Sequence, residues 1–245
     1  MAADAGGAIS YRRAAIGSYI LGERLRPVLA GEEMTGVLLP NSVGHVVALL
    51  ALFYLGKTPA IMNFSAGVDD ILDCAAVAGV RTIITARAFV EKAGLGDYVA
   101  ACAAKFRVVY LEDVRAGVGP ADKLGGLVRY WRRVKAAAAP ARVVLFTSGS
   151  ESKPKGVVLR HANILANIDQ TACVIDYSHR DRLLNALPMF HSFGLTAGTL
   201  LPILEGIEVF LYPTPLHYKV IPEIAYDRNI TIILSTPTFL MGYAK

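Results

Sequence analysis

The chain has 245 residues, 54% of them hydrophobic and 18% charged, which is enough apolar material for a substantial core and excludes global disorder. Its 25 Lys and Arg against 20 Asp and Glu leave a net charge of +5. That balance permits an acidic partner or peripheral contact with a membrane surface, but no basic run or basic-aromatic interleaving points to nucleic acid.

The predicted elements alternate helix and strand. A helix runs from Tyr11 to Leu29 with Ser10 as its cap, then a strand at Gly36–Leu39, then an apolar helix that Ser42 can cap and that ends near Gly56. Its apolar core, Val46 to Leu55, is ten residues long, about half of the roughly 20 needed to cross a bilayer, so it reads as a buried helix. Next come a strand at Pro59–Met62, a helix at Asp69–Ala78, strands at Thr82–Ile84 and Arg107–Leu111, and an amphipathic helix from Asp122 to Val134. The small-residue stretch Lys135–Ala141, with Pro140, is the candidate boundary between a first subdomain, 1–139, and a second, 140–245. Beyond it lie the apolar run Val143–Phe146, a helix at Asn163–Ile175, a strand at Leu183–Leu187, a helix around Leu195–Leu204, a strand at Ile207–Leu211, a helix at Ile221–Arg228 and a strand at Thr231–Leu234. Such alternation predicts an α/β fold with mostly parallel sheets and flanking helices.

Cys74, Cys102 and Cys173 are an odd number at wide spacing, each in a helix-like apolar pattern. They read as buried, reduced thiols of a cytoplasmic protein, not as a disulfide framework or zinc site. The segment after Arg12-Arg13 lacks a convincing signal-peptide cleavage site.

The densest polar motif is Thr147-Ser148-Gly149-Ser150-Glu151-Ser152-Lys153-Pro154-Lys155-Gly156, directly after the Val143–Phe146 run. Glycines let backbone N–H groups turn inward, hydroxyls add donors, and lysines supply the point charges that a polyphosphate needs. An ordinary P-loop, G-x-x-x-x-G-K-[ST] opening a helix, does not fit. Pro154 stands five positions after Gly149, Lys155 precedes Gly156, and the β-prone Val157-Val158-Leu159 follows. The loop is therefore expected to join strand to strand, and the nucleotide it suggests is ATP.

A second motif, Pro188-Met189-Phe190-His191-Ser192-Phe193-Gly194-Leu195, follows the strand at 183–187, at the carboxyl end where open α/β sheets place ligands. With these two motifs the chain resembles the adenylate-forming, AMP-binding superfamily of acyl-CoA synthetases, luciferases and peptide-synthetase adenylation domains. The signature phosphate loop of that superfamily is similar to residues 147–157, and its P-x-x-H-x-x-G element to Pro188–Gly194. Within it, LPNSVG at 39–44, ARAFVEKAGL at 86–95, FTSGSE at 146–151, FHSFGLT at 190–196 and VFLYPTPLHY at 209–218 resemble the acyl-[acyl-carrier-protein] synthetase region of bifunctional 2-acylglycerophosphoethanolamine acyltransferases.

The resemblance implies a two-step reaction in which a fatty acid and ATP, with Mg2+, give acyl-AMP, and a phosphopantetheine thiol on acyl carrier protein or coenzyme A then takes the acyl group. It implies that Thr147, Ser148, Gly149, Ser150, Glu151, Ser152, Lys153, Lys155 and Gly156 hold the phosphates. His191 would sit beside the acyl carboxylate and the α-phosphate as the catalytic residue. Phe190, Phe193 and Gly194 would shape the acyl entrance, and Thr236 and Pro237 border the acyl or adenine pocket. No metal ligand is assigned. Ser152 replaces a glycine common in the family loop. The family's Y-G-x-T-E element, ribose-binding aspartate, hinge and C-terminal catalytic lysine have no counterpart here, and none of the five histidines starts an H-x-x-x-x-D acyltransferase motif. The chain is thus expected to be an N-terminal part that cannot complete adenylation without the rest, cytoplasmic, with the parent at the inner membrane face as a further expectation; the alternatives are part of a long-chain acyl-CoA synthetase, or a non-catalytic module that binds a nucleotide or a partner.

Three features keep two readings. The cluster Arg129, Arg132, Arg133 and Lys135 with Tyr130 and Trp131 either docks an acidic carrier protein or anionic headgroups, or is a solvated helix face. Tyr212, Pro213, Pro215, His217 and Tyr218 either line the acyl channel or pack as core. Ser235–Thr238 either borders a pocket or caps a helix starting near Pro237.

Overall fold

The computed structural model of the chain describes residues 1–137, 142–147 and 155–245, apart from the side chains of Ile71 and Thr147. Among them the strands are Ala2–Asp4 (β1), Gly7–Ile9 (β2), Met34–Val37 (β3), Thr58–Ile61 (β4), Thr82–Thr85 (β5), Arg107–Tyr110 (β6), Arg142–Thr147 (β7), Lys155–Arg160 (β8), Arg182–Asn185 (β9), Glu208–Leu211 (β10) and Ile232–Ile233 (β11). The β-branched runs of the sequence become strands within a residue or two of their expected limits, and helices separate most of them, as an α/β fold requires.

The chain folds as two compact units, one of residues 12–39 and 44–161, the other of residues 1–11, 40–43 and 162–245. The first unit holds a six-stranded sheet in the order β6-β5-β3-β4-β7-β8, parallel except for the antiparallel pair β7–β8. The cut expected at 139/140 does not separate the units, because β7 pairs with β4 (Ala60 with Val144, Ile61 with Leu145) and brings β8 into the same sheet. One face buries Leu38, Ala60, Met62, Ile83 and Val144 against Leu72, Ala75, Val99 and Cys102, and a second cluster gathers Leu25, Val37, Leu39, Ala48, Leu52 and Ile84. The apolar helix is Val43–Tyr54, with His45, Val46, Ala48, Leu49, Ala51 and Leu52 all buried, so it is the core helix that its composition predicts. No helix among the described residues is long and apolar enough to cross a membrane.

The second unit holds a five-stranded sheet in the order β11-β9-β10-β1-β2, with only β1–β2 antiparallel. Its core collects Ala3, Leu184, Ala186, Phe210 and Ile221, with Tyr212, Ile224 and Tyr243 packed against them. The strands β1 and β2 were not expected, since AADAGGAI offers almost no β-branched residue. They form because Ala2 and Ala3 are small enough to be buried beside Val209 and Phe210 while their backbones join the ladder.

Local rules account for the other differences. The first helix stops at Leu25, not Leu29, because Pro27 cannot donate to the helix and disfavours helical backbone just before it. Helices at Arg87–Lys92, Gly96–Ala103 and Leu111–Ala116 are too short to show a clear period. The helix expected around Leu195 begins at Ser192 and contains a π-helical turn, Thr196–Leu200. Cys74 and Cys102 are buried, whereas Cys173 is exposed, just past the end of the helix His161–Ala172. Burial first, then Asp70 and Asp73, pushes Cys74 up to about 11, so that thiol stays protonated and unreactive.

Candidate functional site

In the first unit, β7 and β8 pair in the register Arg142–Arg160, Val144–Val158, Phe146–Gly156 and Thr147–Lys155. The Ser/Gly/Lys motif is therefore a hairpin connection whose base is the Thr147–Lys155 pair, the strand-to-strand geometry expected and not a P-loop opening a helix. Of the expected phosphate-binding residues, Ser148, Gly149, Ser150, Glu151, Ser152 and Lys153 lie outside the described residues, and of Thr147 only the backbone is described. Lys155 is exposed on the first residue of β8 and makes no ion pair among the described residues. On the opposite strand Val143–Phe146 are buried, and they anchor the hairpin in the sheet. His161, the residue after β8, packs edge-on against Phe53 with ring centroids 4.4 Å apart, and burial lowers its pKa.

In the second unit, the Pro188–Gly194 turn follows β9 and enters the short helix Ser192–Leu195, with His191 at its N-cap position. The His191 N–H donates to the Pro188 carbonyl at 3.1 Å, and the His191 carbonyl accepts from Leu195 N–H at 2.9 Å. Two buried amides hold this turn, and sequence reasoning gave neither a role. Asn185 donates to the Gly194 carbonyl at 3.1 Å and accepts from Leu187 N–H at 3.0 Å. Thr199, in the π turn, adds a second donor to the Gly194 carbonyl at 2.9 Å and also meets the Asn185 amide at 3.2 Å. Asn41 donates to the carbonyls of Leu187 at 2.7 Å and Tyr212 at 3.1 Å, and accepts from Met189 N–H at 3.0 Å. A Cβ at Gly194 would lie 2.2 Å from the Pro188 carbonyl oxygen, and one at Gly198 2.4 Å from the Asn185 amide. The motif thus needs glycine where it has glycine. A signal was available for both amides: Asn41 sits inside LPNSVG, and Asn185 interrupts an apolar strand run, where a buried polar residue is the informative exception.

These contacts fix the backbone on both sides of His191 while leaving that residue exposed. Its ring lies edge-on to buried Phe190 at 4.7 Å between centroids, and desolvation by the surrounding protein lowers its pKa. At neutral pH it is therefore an uncharged imidazole able to donate or accept a hydrogen bond. Phe190 is buried and Phe193 is exposed, so of the two rings only Phe193 is open to a ligand.

Thr236 occupies the N-cap position of the helix Pro237–Tyr243, with Pro237 at N1; its side chain makes no capping bond, and both residues are exposed. The aromatic patch packs against that helix: Tyr243 Oη donates to the Pro215 carbonyl at 3.0 Å, and a Cβ at Gly242 would sit 2.4 Å from the Tyr218 ring. Tyr212 Oη and His217 Nδ1 share a hydrogen bond at 2.8 Å. Among the described residues no group of three His, Cys, Asp or Glu could hold a metal ion. A magnesium ion carried on a nucleotide's phosphates asks for only one or two protein carboxylates.

A family model described as AMP-binding enzyme matches residues 2–244. The chain is similar to 2-succinylbenzoate--CoA ligase of Bacillus licheniformis, 25% identical over 217 residues that cover 88% of this chain and 42% of that protein. It is similar also to a feruloyl-CoA synthase of Amycolatopsis, 27% identical with 84% of this chain and 38% of that protein covered. The chain therefore spans about four tenths of the length of these curated relatives. In fold it is similar to o-succinylbenzoate coenzyme A synthetase of Bacillus subtilis, whose structure contains ATP and a magnesium ion, with a TM-score of 0.80, 20% identity, and coverage of 100% of this chain and 61% of that one.

Proposed function

We propose a function from one premise: the chain belongs to the AMP-binding enzyme family. The chain is the ATP- and acid-binding part of an AMP-forming acid–thiol ligase. In the reaction of such a ligase, a carboxylate oxygen attacks the α-phosphorus of ATP, the bond from that phosphorus to the bridging oxygen breaks, and pyrophosphate leaves. A thiol then attacks the acyl carbon of the adenylate, and AMP departs with the bonding pair. Neither step requires a protein nucleophile, so the protein's work is positioning and charge neutralisation.

The observation that carries this reading is the hairpin register that sets Lys155, exposed and without an ion pair among the described residues, at the base of the Ser/Gly/Lys loop. Lys155 and Gly156, with Thr147, Ser148, Gly149, Ser150, Glu151, Ser152 and Lys153, take the β- and γ-phosphates of ATP and its Mg2+. His191, as a neutral imidazole, hydrogen-bonds the acid's carboxylate end, with Phe193, Thr236 and Pro237 on the acyl side and buried Phe190 and Gly194 shaping the turn that carries it. The acid is a fatty acid. The names of the curated relatives point to coenzyme A as the thiol, while the motifs at 190–196 and 209–218 favour a carrier-protein phosphopantetheine; the complete ligase offered both acceptors decides between them.

Titration of ATP with Mg2+ against this chain and against Lys155→Ala, followed by calorimetry, tests the phosphate assignment. The variant is expected to bind at least about tenfold more weakly, the equivalent of one charge-assisted hydrogen bond. Equal affinities, or no binding by the parent chain, would overturn it.

A further inference from the structure

The helix Pro120–Trp131 has two faces, and the fold uses only one. On the inner face Gly126 brings the helix against Tyr11–Leu25 so closely that a Cβ there would lie 2.5 Å from Ile20. Asp122 takes the Gly119 N–H at 2.7 Å and pairs with Arg24, Arg129 pairs with Glu23 at 3.3 Å, and Tyr19 Oη donates to the Val134 carbonyl at 2.8 Å. The helix is therefore fixed in orientation, and its nearby acids are already neutralised.

On the opposite face Leu124, Val128 and Trp131 recur at i, i+4 and i+7 and form one stripe. They are 64%, 40% and 73% exposed, an unusual cost for three large apolar side chains on one turn-to-turn line. Just past the stripe Arg132, Arg133 and Lys135 are exposed and form no ion pair among the described residues. An exposed apolar stripe with an aromatic at its end and a cluster of exposed cations beside it matches an anionic bilayer surface on three counts. The side chains of the stripe are exposed, so they enter a soft headgroup layer without needing a complementary groove. Tryptophan favours that interface. The free charges have the sign that anionic headgroups attract. Two copies meeting through this face would oppose like charges.

We propose that this face docks the protein on a membrane surface rich in anionic lipid, with Trp131, Leu124 and Val128 entering the boundary of headgroup and acyl chain and Arg132, Arg133 and Lys135 meeting lipid phosphates.

Trp131 is the only tryptophan of the chain, so its emission reports on this face alone. With vesicles of phosphatidylcholine and phosphatidylglycerol the emission is expected to shift to the blue, to be quenched by lipids brominated near the headgroup, and to recover as salt is raised. Vesicles of phosphatidylcholine alone should bind far more weakly. The double variant Arg132→Glu with Lys135→Glu should lose at least about 25-fold in vesicle affinity, from roughly fivefold for each basic residue, with its thermal unfolding unchanged. Leu124→Ser should weaken binding at unchanged salt dependence. Emission that does not move with anionic vesicles, an equal shift in the charge-reversed variant, or a shift produced by self-association or by an acidic carrier protein in place of vesicles would each overturn the proposal.

Discussion

Gly194 and Gly156 close the two polar motifs of the chain, and the space around them differs by more than an ångström. A Cβ at Gly194 would stand 2.2 Å from the Pro188 carbonyl oxygen and 2.5 Å from that of Leu187, well inside any tolerable contact. At Gly156 the nearest atoms, on Phe146 and Val144, are 3.5 Å away, an ordinary van der Waals distance. The first glycine is demanded by the chain's own backbone, folded tightly around His191. The second has no such demand on it among the described residues, and a ligand that approaches the backbone would account for a glycine there. Sequence alone gives each motif its glycine without saying why, but Gly194 is held from within, and among the described residues Gly156 meets nothing closer than ordinary van der Waals contact.

The largest effect is therefore expected at Gly194→Ala. The added methyl meets backbone and not the movable end of a side chain, so the turn must open, at a cost of about 3 kcal/mol in chemical denaturation. Retained stability in that variant would mean that the turn is pliable and would remove the contrast with Gly156.

Next in size is Asn185→Ala, which withdraws a fully buried amide from Gly194, Leu187 and Thr199 at once. Thr199 still serves the Gly194 carbonyl, so the unmet group is chiefly the Leu187 N–H, and a loss of about 2 kcal/mol follows from one unsatisfied buried donor and the lost packing. The backbone amides of residues 187–195 should gain hydrogen exchange while those of β7 and β8 do not. Faster exchange in both regions would show that the amide supports the whole molecule and not this turn.

How far the sequence showed these features depended on whether they announce themselves locally. The strands β3 to β11 are legible because short apolar runs mark them, β-branched in β5, β6, β7 and β11 and leucine-rich in β9, and the strand-to-strand character of the Ser/Gly/Lys loop follows from Pro154 and from Val157-Val158-Leu159. Gly194 and His191 are visible as a motif; Asn41 and Asn185 stand out only as polar residues in apolar surroundings, and their roles stay hidden because Asn41 reaches Leu187, 146 residues away, and Asn185 reaches Gly194, nine residues away. For the same reason β1 stayed hidden, since Ala2 and Ala3 become strand only through β10. Cys173 was misjudged because apolar neighbours in sequence are not neighbours in space when a helix has just ended.

The smallest effect on stability, and the sharpest test of the contrast, belongs to Gly156→Ala. Alanine costs the unfolded chain some freedom and meets no clash on the edge strand β8, so stability should stay within about 0.5 kcal/mol or rise slightly. ATP affinity is expected to fall all the same, because a methyl group there would hold phosphate off the backbone N–H groups near the base of the loop. Calorimetric titration and denaturation on the same preparation separate the two quantities. Unchanged stability with weakened binding marks Gly156 as a residue kept for the ligand, the counterpart of a Gly194 kept for the fold. Unchanged affinity would place the phosphates nearer the middle of the loop and leave Gly156 with no role that alanine could not fill.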